Sequence, residues 1–195
     1  YDAVRSEMEY KLECPLSREK LKMLRAGDRV LLSGRIYTAR DAAHKRLCAL
    51  LDDGAALPFP LEDSVIYYVG PTPEKPGQVI GSAGPTTSCR MDAYSPRLLD
   101  LGQRVMIGKG NRSPDVVGAI VRNGAVYLAA MGGAGALMGA DVRSARLVCW
   151  EDLGCEAVRE LEVEDMPLIV AIDSLGKNIY ESGPAAYLES LNGGI

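Results

Sequence analysis

Apolar and polar residues alternate along several short segments of the chain, and these segments are rich in Val, Ile, Leu and Tyr. Alternation with a period of two is typical of a strand with one buried face, and β-branched and aromatic residues favour that conformation. Glycine, proline and aspartate separate the segments and predict turns between them. The predicted strands are Glu7–Glu13, Arg29–Ile36, Val65–Val69, Val79–Ser82, Val105–Gly108, Ala125–Ala130, Arg146–Trp150, Ala157–Val163 and Leu168–Asp173.

Helices are predicted where a capping residue or a proline precedes apolar residues spaced three or four apart. Thr38 and Asp41 fit the S/T-x-x-D/E pattern that opens a helix. Pro96 is expected to kink or break the third helix. Glycines at 132, 133, 135 and 139 predict a tight backbone region. The predicted helices are Ser17–Leu24, Arg40–Leu51, Thr86 or Thr87 to Leu101, Pro114–Asn123 and Gly183–Leu191.

The order of these elements mixes strands and helices without strict alternation. This order favours an α/β domain with a mixed sheet, layered β/β/α or in three layers, over a doubly wound sheet. A chain of 195 residues with 47% hydrophobic residues can bury a sizeable core, which excludes a disordered chain and predicts one domain. The net charge of -4 leaves no general positive field, so we expect no nucleic-acid partner.

The longest apolar runs, such as 168–172 and 134–138, are far shorter than the about 20 residues that span a bilayer, so no membrane segment is expected. The first residues resemble no secretory signal, which predicts a cytoplasmic protein. The five cysteines form an odd set without a C-x-x-C pair. They are therefore expected to be reduced thiols and to form no complete zinc or iron–sulfur site.

The first polar cluster is YTARDAAHKR, residues 37–46. Arg40 and His44 are four residues apart, so on a helix they share one face, where a guanidinium and an imidazole could hold a carboxylate and move a proton. The alternative is a capped, solvated helix in which Asp41 serves the cap and Arg40 the surface. Spacing alone favours that alternative.

Two further clusters each follow a predicted strand. In GPTTSCRMD, residues 84–92, Thr86, Thr87 and Ser88 precede Arg90, and hydroxyls at a helix start can bind an anion that an arginine clamps. The alternative is a helix cap made by one threonine. In GKGNRS, residues 108–113, Lys109 can reach an anion or belong to a polar turn. With Arg40 and Arg112, these cations in an acidic protein suit a small substrate with two negative charges.

Four segments together carry a resemblance to a known family: YTARDAAHKR, GPTTSCRMD, IGKGNRS and PLIVAIDSLGKNIY. They are similar to the beta subunit of the class I, iron–sulfur-dependent fumarate hydratase and L-tartrate dehydratase family, the equivalent of the C-terminal domain of its single-chain members. The resemblance extends from about Leu16 to Leu188. It implies a swivelling β/β/α domain over residues 1–195, with an N-terminal strand or arm at 1–15 and a tail at 192–195.

The resemblance also implies a cofactor and partners. A [4Fe-4S] cluster would be bound by a separate alpha subunit and not by this chain, in a hetero-oligomer with two copies of each subunit. The substrate would be a small dicarboxylate. None of the expected site residues is a metal ligand, and Cys89, which stands where the family often has a glycine, is not expected to bind the cluster.

The roles of the site residues follow from the same resemblance. Arg40 and Arg90 are expected to clamp the carboxylates, and Lys109 to contact a carboxylate or the transition state. Thr86 is expected to take part in proton abstraction at carbon, Thr87 to bind substrate, and His44 to be catalytic. The implied reaction is the reversible dehydration of (S)-malate to fumarate. L-tartrate dehydration and a non-catalytic anion-binding module are the alternatives.

Overall fold

Residues 8–130 and 135–183 are described by a computed structural model of the chain. Its strands are β1 (Glu9–Glu13), β2 (Arg29–Thr38), β3 (Val65–Tyr67), β4 (Val105–Gly108), β5 (Val126–Ala129), β6 (Val142–Cys149) and β7 (Val158–Ile172). Its α-helices are α1 (Arg18–Leu21), α2 (Asp41–Asp52), α3 (Ser95–Asp100), α4 (Pro114–Asn123) and α5 (Gly135–Ala140). Two 3₁₀ helices, Ser88–Met91 and Glu151–Glu156, and a helical turn at 179–183 complete the elements.

The strands form one mixed sheet in the order β1-β2-β3-β4-β5-β7-β6. Strands β1 to β5 pair in parallel, whereas β7 runs antiparallel to β2, β5 and β6. Because β7 pairs with β2 as well as with β5, the hydrogen bonding closes on itself through β2, β3, β4, β5 and β7.

Alternate residues of the short parallel strands face two different hydrophobic cores. Val65 and Tyr67 of β3 point into a core shared with β2, β6 and β7. Ile66, between them, lies in a second core with side chains of α2, α3 and α4. The period of two in the sequence therefore separates a β/β interior from a β/α interior. This arrangement confirms the predicted α/β class with a mixed sheet and β/β/α layering.

Helix α4 carries sequence signals for both of its ends, and these signals predict its bounds correctly. Ser113 accepts a hydrogen bond at its side chain from the Val116 N–H (3.4 Å), Pro114 occupies the first turn, and Gly124 ends the helix in the left-handed conformation at φ 61°. The observed bounds are those predicted.

The start of α2 differs from the prediction. Arg40 is the N-cap residue, and no side chain caps the helix. Thr38 belongs instead to β2, where its buried hydroxyl oxygen accepts a hydrogen bond from the Arg159 N–H (2.9 Å). Pairing with β3 and β7 extends β2 beyond the predicted end, which takes Thr38 away from the helix.

Two other predictions of local structure are wrong. Residues 79–82 form no strand, because this segment folds back on Thr72, whose N–H donates to the Ser82 carbonyl (3.0 Å). The two strands predicted at 157–163 and 168–173 are one strand, β7, which continues through Asp165 at φ 49°. The helix predicted up to Leu101 is interrupted between Met91 and Ser95, which confirms the break expected near Pro96; Pro96 itself lies in the first turn of α3.

Two predictions concern residues outside the described ranges: the glycines at 132 and 133, and the last helix beyond residue 183. Within the described ranges, no helix has the length and apolar character required to cross a bilayer.

Gly108, the last residue of β4, leaves space for the buried Ser88 hydroxyl. A Cβ at residue 108 would overlap Ser88 Oγ and lie 3.0 Å from a ring carbon of Tyr68. We therefore expect Gly108→Ala to lower the free energy of unfolding by about 1–3 kcal/mol, measured by denaturant titration. Gly118→Ala in α4 is the matched control, because a Cβ there meets nothing within 4 Å and alanine favours helix by about 1 kcal/mol. Equal stability of the two variants would contradict this account.

Candidate functional site

The three polar clusters meet at one edge of the sheet. Strands β2, β3 and β4 are parallel neighbours, so their carboxyl ends lie side by side. Two segments are hydrogen-bonded to the end of β3: the one that follows β2 and the one that precedes the first 3₁₀ helix. The Ala39 N–H donates to the Tyr67 carbonyl (3.1 Å), and the Thr86 N–H donates to the Tyr68 carbonyl (2.7 Å). The register of the sheet therefore brings the clusters together.

Arg90 and Asp41 join the first two clusters directly. Arg90 Nη2 donates to Asp41 Oδ2 at 2.7 Å, from a side chain that is about half exposed. Partial burial alone would raise the pKa of Asp41, but the hydrogen bond from Arg90 and the charges of Arg90 and Arg40 lower it overall. Asp41 is therefore ionised, and in this chain it pairs with the guanidinium that would bind an anionic ligand.

Arg40 is held in a similar way by a second carboxylate. Its Nε lies 2.9 Å from Glu156 Oε1, and both side chains are 20% exposed. The bond angles do not meet those of a hydrogen bond, so the contact is an ion pair. A Cβ at Gly70 would lie 2.8 Å from Arg40 Nη1, which shows that a glycine at this position makes room for the guanidinium.

The second and third clusters are joined through the backbone. Thr87 and Lys109 form a parallel β-bridge, and the Ser88 N–H donates to the Lys109 carbonyl (2.9 Å). Thr86 is half-buried, and Thr87 and Lys109 are exposed. Lys109 has no ion pair with any residue in the ranges that the structure covers. The backbone of Lys109, whose ammonium group has no carboxylate partner among the described residues, thus lies beside that of Thr87.

The long helix expected behind these hydroxyls is replaced by the 3₁₀ helix Ser88–Met91, which spans four residues. Thr87 occupies its N-cap position but makes no side-chain capping hydrogen bond. The capping alternative therefore does not account for the Thr87 hydroxyl. A helix this short also contributes little dipole, so binding of an anion here relies on side-chain cations.

His44 lies beneath this surface and is completely buried. Its Nδ1 is 2.8 Å from the Arg40 carbonyl oxygen, which can only accept, so Nδ1 carries the proton. Nε2 has no hydrogen-bond partner among the described residues. Burial and the charge of Arg112 lower the pKa of His44 to about 4, against the opposing effect of the bond to Arg40. The ring is therefore neutral at physiological pH, and it contacts the Arg40 carbonyl instead of its guanidinium.

Arg112 departs from the group of surface cations that the sequence predicts. Its side chain is fully buried, and Nε donates to Asp92 Oδ1 at 2.7 Å. Arg40, Arg90 and Lys109 therefore remain as the cations at the sheet edge, and Arg112 lies underneath them. Glu156 is a further residue of this edge that the sequence does not indicate, because nothing in the local sequence shows that a residue over a hundred positions away pairs with Arg40.

The cysteines do not converge on a metal-binding group. Burial, with a smaller contribution from Glu162, raises the pKa of Cys14 to about 12, and burial also raises the pKa of Cys48 and Cys149, so these side chains remain thiols. Cys89 and Cys155 are exposed. No group of three or more His, Cys, Asp or Glu side chains with the arrangement of a metal site occurs in residues 8–130 and 135–183.

The sequence is similar to several known proteins. It is 41% identical over 191 residues to the "Putative L(+)-tartrate dehydratase subunit beta" of Methanocaldococcus jannaschii, which covers 95% of this chain and 97% of that protein. It is 37% identical over 169 residues to "Fumarate hydratase 2" of Leishmania major, covering 84% of this chain and 29% of that protein. It is 38% identical over 155 residues to "Fumarate hydratase class I, aerobic" of Escherichia coli K12, covering 78% of this chain and 28% of that protein.

The chain thus spans less than a third of the length of these fumarate hydratases, but nearly all of the archaeal subunit. A family model described as the fumarase C-terminus matches residues 2–183. That match covers most of the sequence and agrees with the resemblance seen in the four sequence segments. The chain therefore belongs to the family of fumarase C-terminal domains.

Proposed function

We propose that this chain is the beta subunit of a hydro-lyase that reversibly dehydrates (S)-malate to fumarate together with a separate alpha subunit. The observation that carries the proposal is that the segments bearing Arg40, Thr86, Arg90 and Lys109 meet at one sheet edge. Membership of the fumarase C-terminus family supports it. The near-complete coverage of a protein named as a beta subunit supports a two-subunit enzyme, for which we propose two copies of each subunit.

The reaction explains why cations are needed. Removal of a proton next to a carboxylate produces an additional negative charge on that carboxylate in the transition state. Fixed donors aimed at this charge stabilise the transition state more than the substrate. We assign Arg40 and Arg90 to the substrate carboxylates and Lys109 to the charge that develops. On binding, the substrate would replace Asp41 at Arg90 and Glu156 at Arg40.

We assign the proton abstraction at carbon to Thr86. A threonine hydroxyl is a weak base, so its deprotonation requires a neighbouring positive charge. We propose that Lys109 supplies this charge, because its backbone lies across the β-bridge from Thr87, the neighbour of Thr86, and it has no carboxylate partner in the described part of the chain. Thr87, exposed beside it, is assigned to substrate binding.

His44 is proposed to serve the site as a neutral ring. Its Nδ1–H donates a hydrogen bond to the Arg40 carbonyl, and the lone pair on Nε2 can accept a hydrogen bond or a proton. With a pKa lowered to about 4, mainly by burial, it has almost no imidazolium form at neutral pH. Any part in proton transfer is therefore as an acceptor.

The family resemblance implies a [4Fe-4S] cluster, and the donor set of this chain does not fit one. Cluster ligands are convergent thiolates, whereas Cys14, Cys48 and Cys149 are held as thiols by burial and the described cysteines form no group. We propose that the alpha subunit binds the cluster. Thr87, Arg90 and Lys109 are exposed at this sheet edge. An open site of this kind suits closure by a second subunit.

L-tartrate is the second candidate substrate. The observation that favours it is the identity of 41% to the archaeal protein named as a tartrate dehydratase subunit, over nearly the full length of both chains. Tartrate carries one more hydroxyl than malate, so it requires a further polar partner. The exposed Thr87 hydroxyl could supply it.

The direct test is an anaerobic hydratase assay of the chain alone and after co-purification with its alpha subunit. We expect the chain alone to be colourless and inactive, because it contains half of a shared site. Activity should appear in the complex, and kcat/KM for malate should exceed that for L-tartrate. A higher kcat/KM for tartrate would select the second candidate, and an inactive complex would favour an anion-binding module. An iron-containing, brown preparation of this chain alone would contradict the proposed division of roles.

Arg90→Lys tests the carboxylate clamp. An ammonium group cannot make the two parallel hydrogen bonds of a guanidinium, so we expect kcat/KM of the complex to fall about a hundredfold or more. Arg97→Lys is the matched control, since Arg97 Nη1 also donates to one carboxylate, that of Asp52 (2.6 Å), away from the sheet edge. Unchanged kinetics in Arg90→Lys would remove Arg90 from the site.

The burial of His44 predicts a pH dependence of stability. Its pKa is lowered from about 6.5 in the unfolded chain to about 4, so between these values the unfolded chain binds more protons. The stability is fully present above pH 6.5 and is lost as the pH falls towards 4. We expect wild type to lose up to about 1.4 kcal/mol per pH unit more than His44→Asn in this window.

His44 is the only histidine in the sequence, so the difference between the two denaturation series isolates its titration. Asparagine keeps an N–H donor for the Arg40 carbonyl and cannot titrate. Parallel curves of unfolding free energy against pH would show that His44 is not buried as a neutral ring.

A further inference from the structure

Arg112 is a fully buried cation whose side chain reaches several elements at once. Its Nε donates to Asp92 Oδ1 (2.7 Å), Nη2 to Ser95 Oγ (2.8 Å) and Nη1 to Met106 Sδ (3.2 Å). A buried charge without such partners costs several kcal/mol, so this position requires all of them together. A surface lysine or arginine would not need this arrangement.

Two aromatic rings enclose the same guanidinium. Its Cζ lies 5.3 Å from the ring centre of Tyr68, which follows β3, and 5.0 Å from that of Tyr127 in β5. Both distances are within the range of cation–π attraction, which is stronger for a desolvated cation. Arg112 is thereby held against the sheet near the carboxyl ends of its parallel strands.

Asp92 connects Arg112 to the segment that carries Arg90. It follows the 3₁₀ helix Ser88–Met91 directly, and its second oxygen, Oδ2, accepts the Ser113 N–H at 2.7 Å. One carboxylate therefore joins the end of this helix to both the side chain and the backbone of the segment that follows Lys109. The helix and the segment cannot move apart without breaking charge-assisted hydrogen bonds.

Tyr127 makes a second connection between the same two segments. Its hydroxyl donates to the Gly110 carbonyl (2.9 Å), so it accepts from Ser88 Oγ (2.8 Å). The Ser88 N–H in turn donates to the Lys109 carbonyl. The two connections meet where the Arg112 guanidinium lies 5.0 Å from the centre of the Tyr127 ring.

We propose that Arg112 is a positioning residue whose buried guanidinium, through Asp92 and against Tyr127, fixes the Lys109 segment relative to the 3₁₀ helix that carries Arg90. The effect of this positioning on turnover rests on the proposed function, because the positioning fixes the spacing between the segments that carry Thr86, Arg90 and Lys109. Lysine at this position keeps the charge but loses the planar fork that reaches Asp92 and Ser95 together.

Hydrogen exchange of the full chain tests the positioning without any assay of activity. In Arg112→Lys we expect exchange at the Ser88 and Ser113 amides to rise about tenfold or more, the effect of weakening roughly one hydrogen bond. The amides of Val126 and Val170, which donate to Arg104 and Asp28, should change much less. Arg122→Lys, which alters an exposed pair with Asp100, is the control and should leave all four amides unchanged.

Two results would overturn the proposal. One is unchanged exchange at Ser88 and Ser113 in Arg112→Lys. The other is an equal rise at all four amides, which would show that Arg112 stabilises the whole fold and does not position these two segments in particular. If Arg112→Lys does not fold, Tyr127→Phe decides instead, since it removes one hydroxyl. It should raise exchange at Ser88 while sparing Val126 and Val170, and no rise at Ser88 would overturn the proposal.

Kinetics of the complex with the alpha subunit provide the second measurement. Arg112→Lys should lower kcat at least about tenfold more than Arg122→Lys, at temperatures where both variants are fully folded. Equal kcat values would overturn the link from positioning to turnover. A wild-type complex without hydratase activity would contradict the proposed function and not the exchange result, so the two failures are distinguishable.

Discussion

The parallel pairing of β2, β3 and β4 is the constraint on which the candidate site depends, because it places the ends of three strands from distant parts of the chain along one edge. β7 maintains that pairing by hydrogen bonding to both β2 and β5, which closes the sheet. With the sheet closed, a shift of one strand would disturb the register of the others. The ends of the strands at this edge are therefore held in place by the whole sheet.

The charges at this edge are arranged around carboxylates that the chain itself supplies. Arg90 is paired with Asp41 and Arg40 with Glu156, whereas Lys109 has no ion pair with a described residue. The Arg90–Asp41 pair is partly exposed, and ion pairs of this kind contribute little to stability. Its exchange for the carboxylate of a ligand would therefore cost little, whereas the more buried Arg40–Glu156 pair would cost more to separate. Both internal carboxylates keep the arginine side chains at this edge of the sheet.

A second layer of polar groups lies below the exposed one. Arg112, Asp92 and Tyr127 link the backbone segments that carry Arg90 and Lys109, and they are shielded from solvent by the core of α3 and α4. Hydrogen bonds and ion pairs that are removed from water hold their geometry more strictly than exposed ones. The buried layer of polar groups explains how short loops, without long helices, can hold the segments that carry the exposed cations at fixed distances.

Much of the chain could be predicted from sequence alone, and the exceptions have physical causes. Helix α4, with Ser113, Pro114 and Gly124 at its ends, and strand β4 have the predicted bounds, because their signals are local and complete. The mixed α/β class and the family also follow from the sequence, since they depend on periodicity and on long ordered motifs. Tertiary structure alone decided that β7 is one strand, because β2 pairs with it on both sides of the irregularity at Asp165. It also decided that Lys109 is exposed while Arg112, three residues later, is buried between two tyrosines. Both residues are cations in the same polar motif, and what separates them is the contact with Asp92, Tyr68 and Tyr127, which only the folded chain brings within reach.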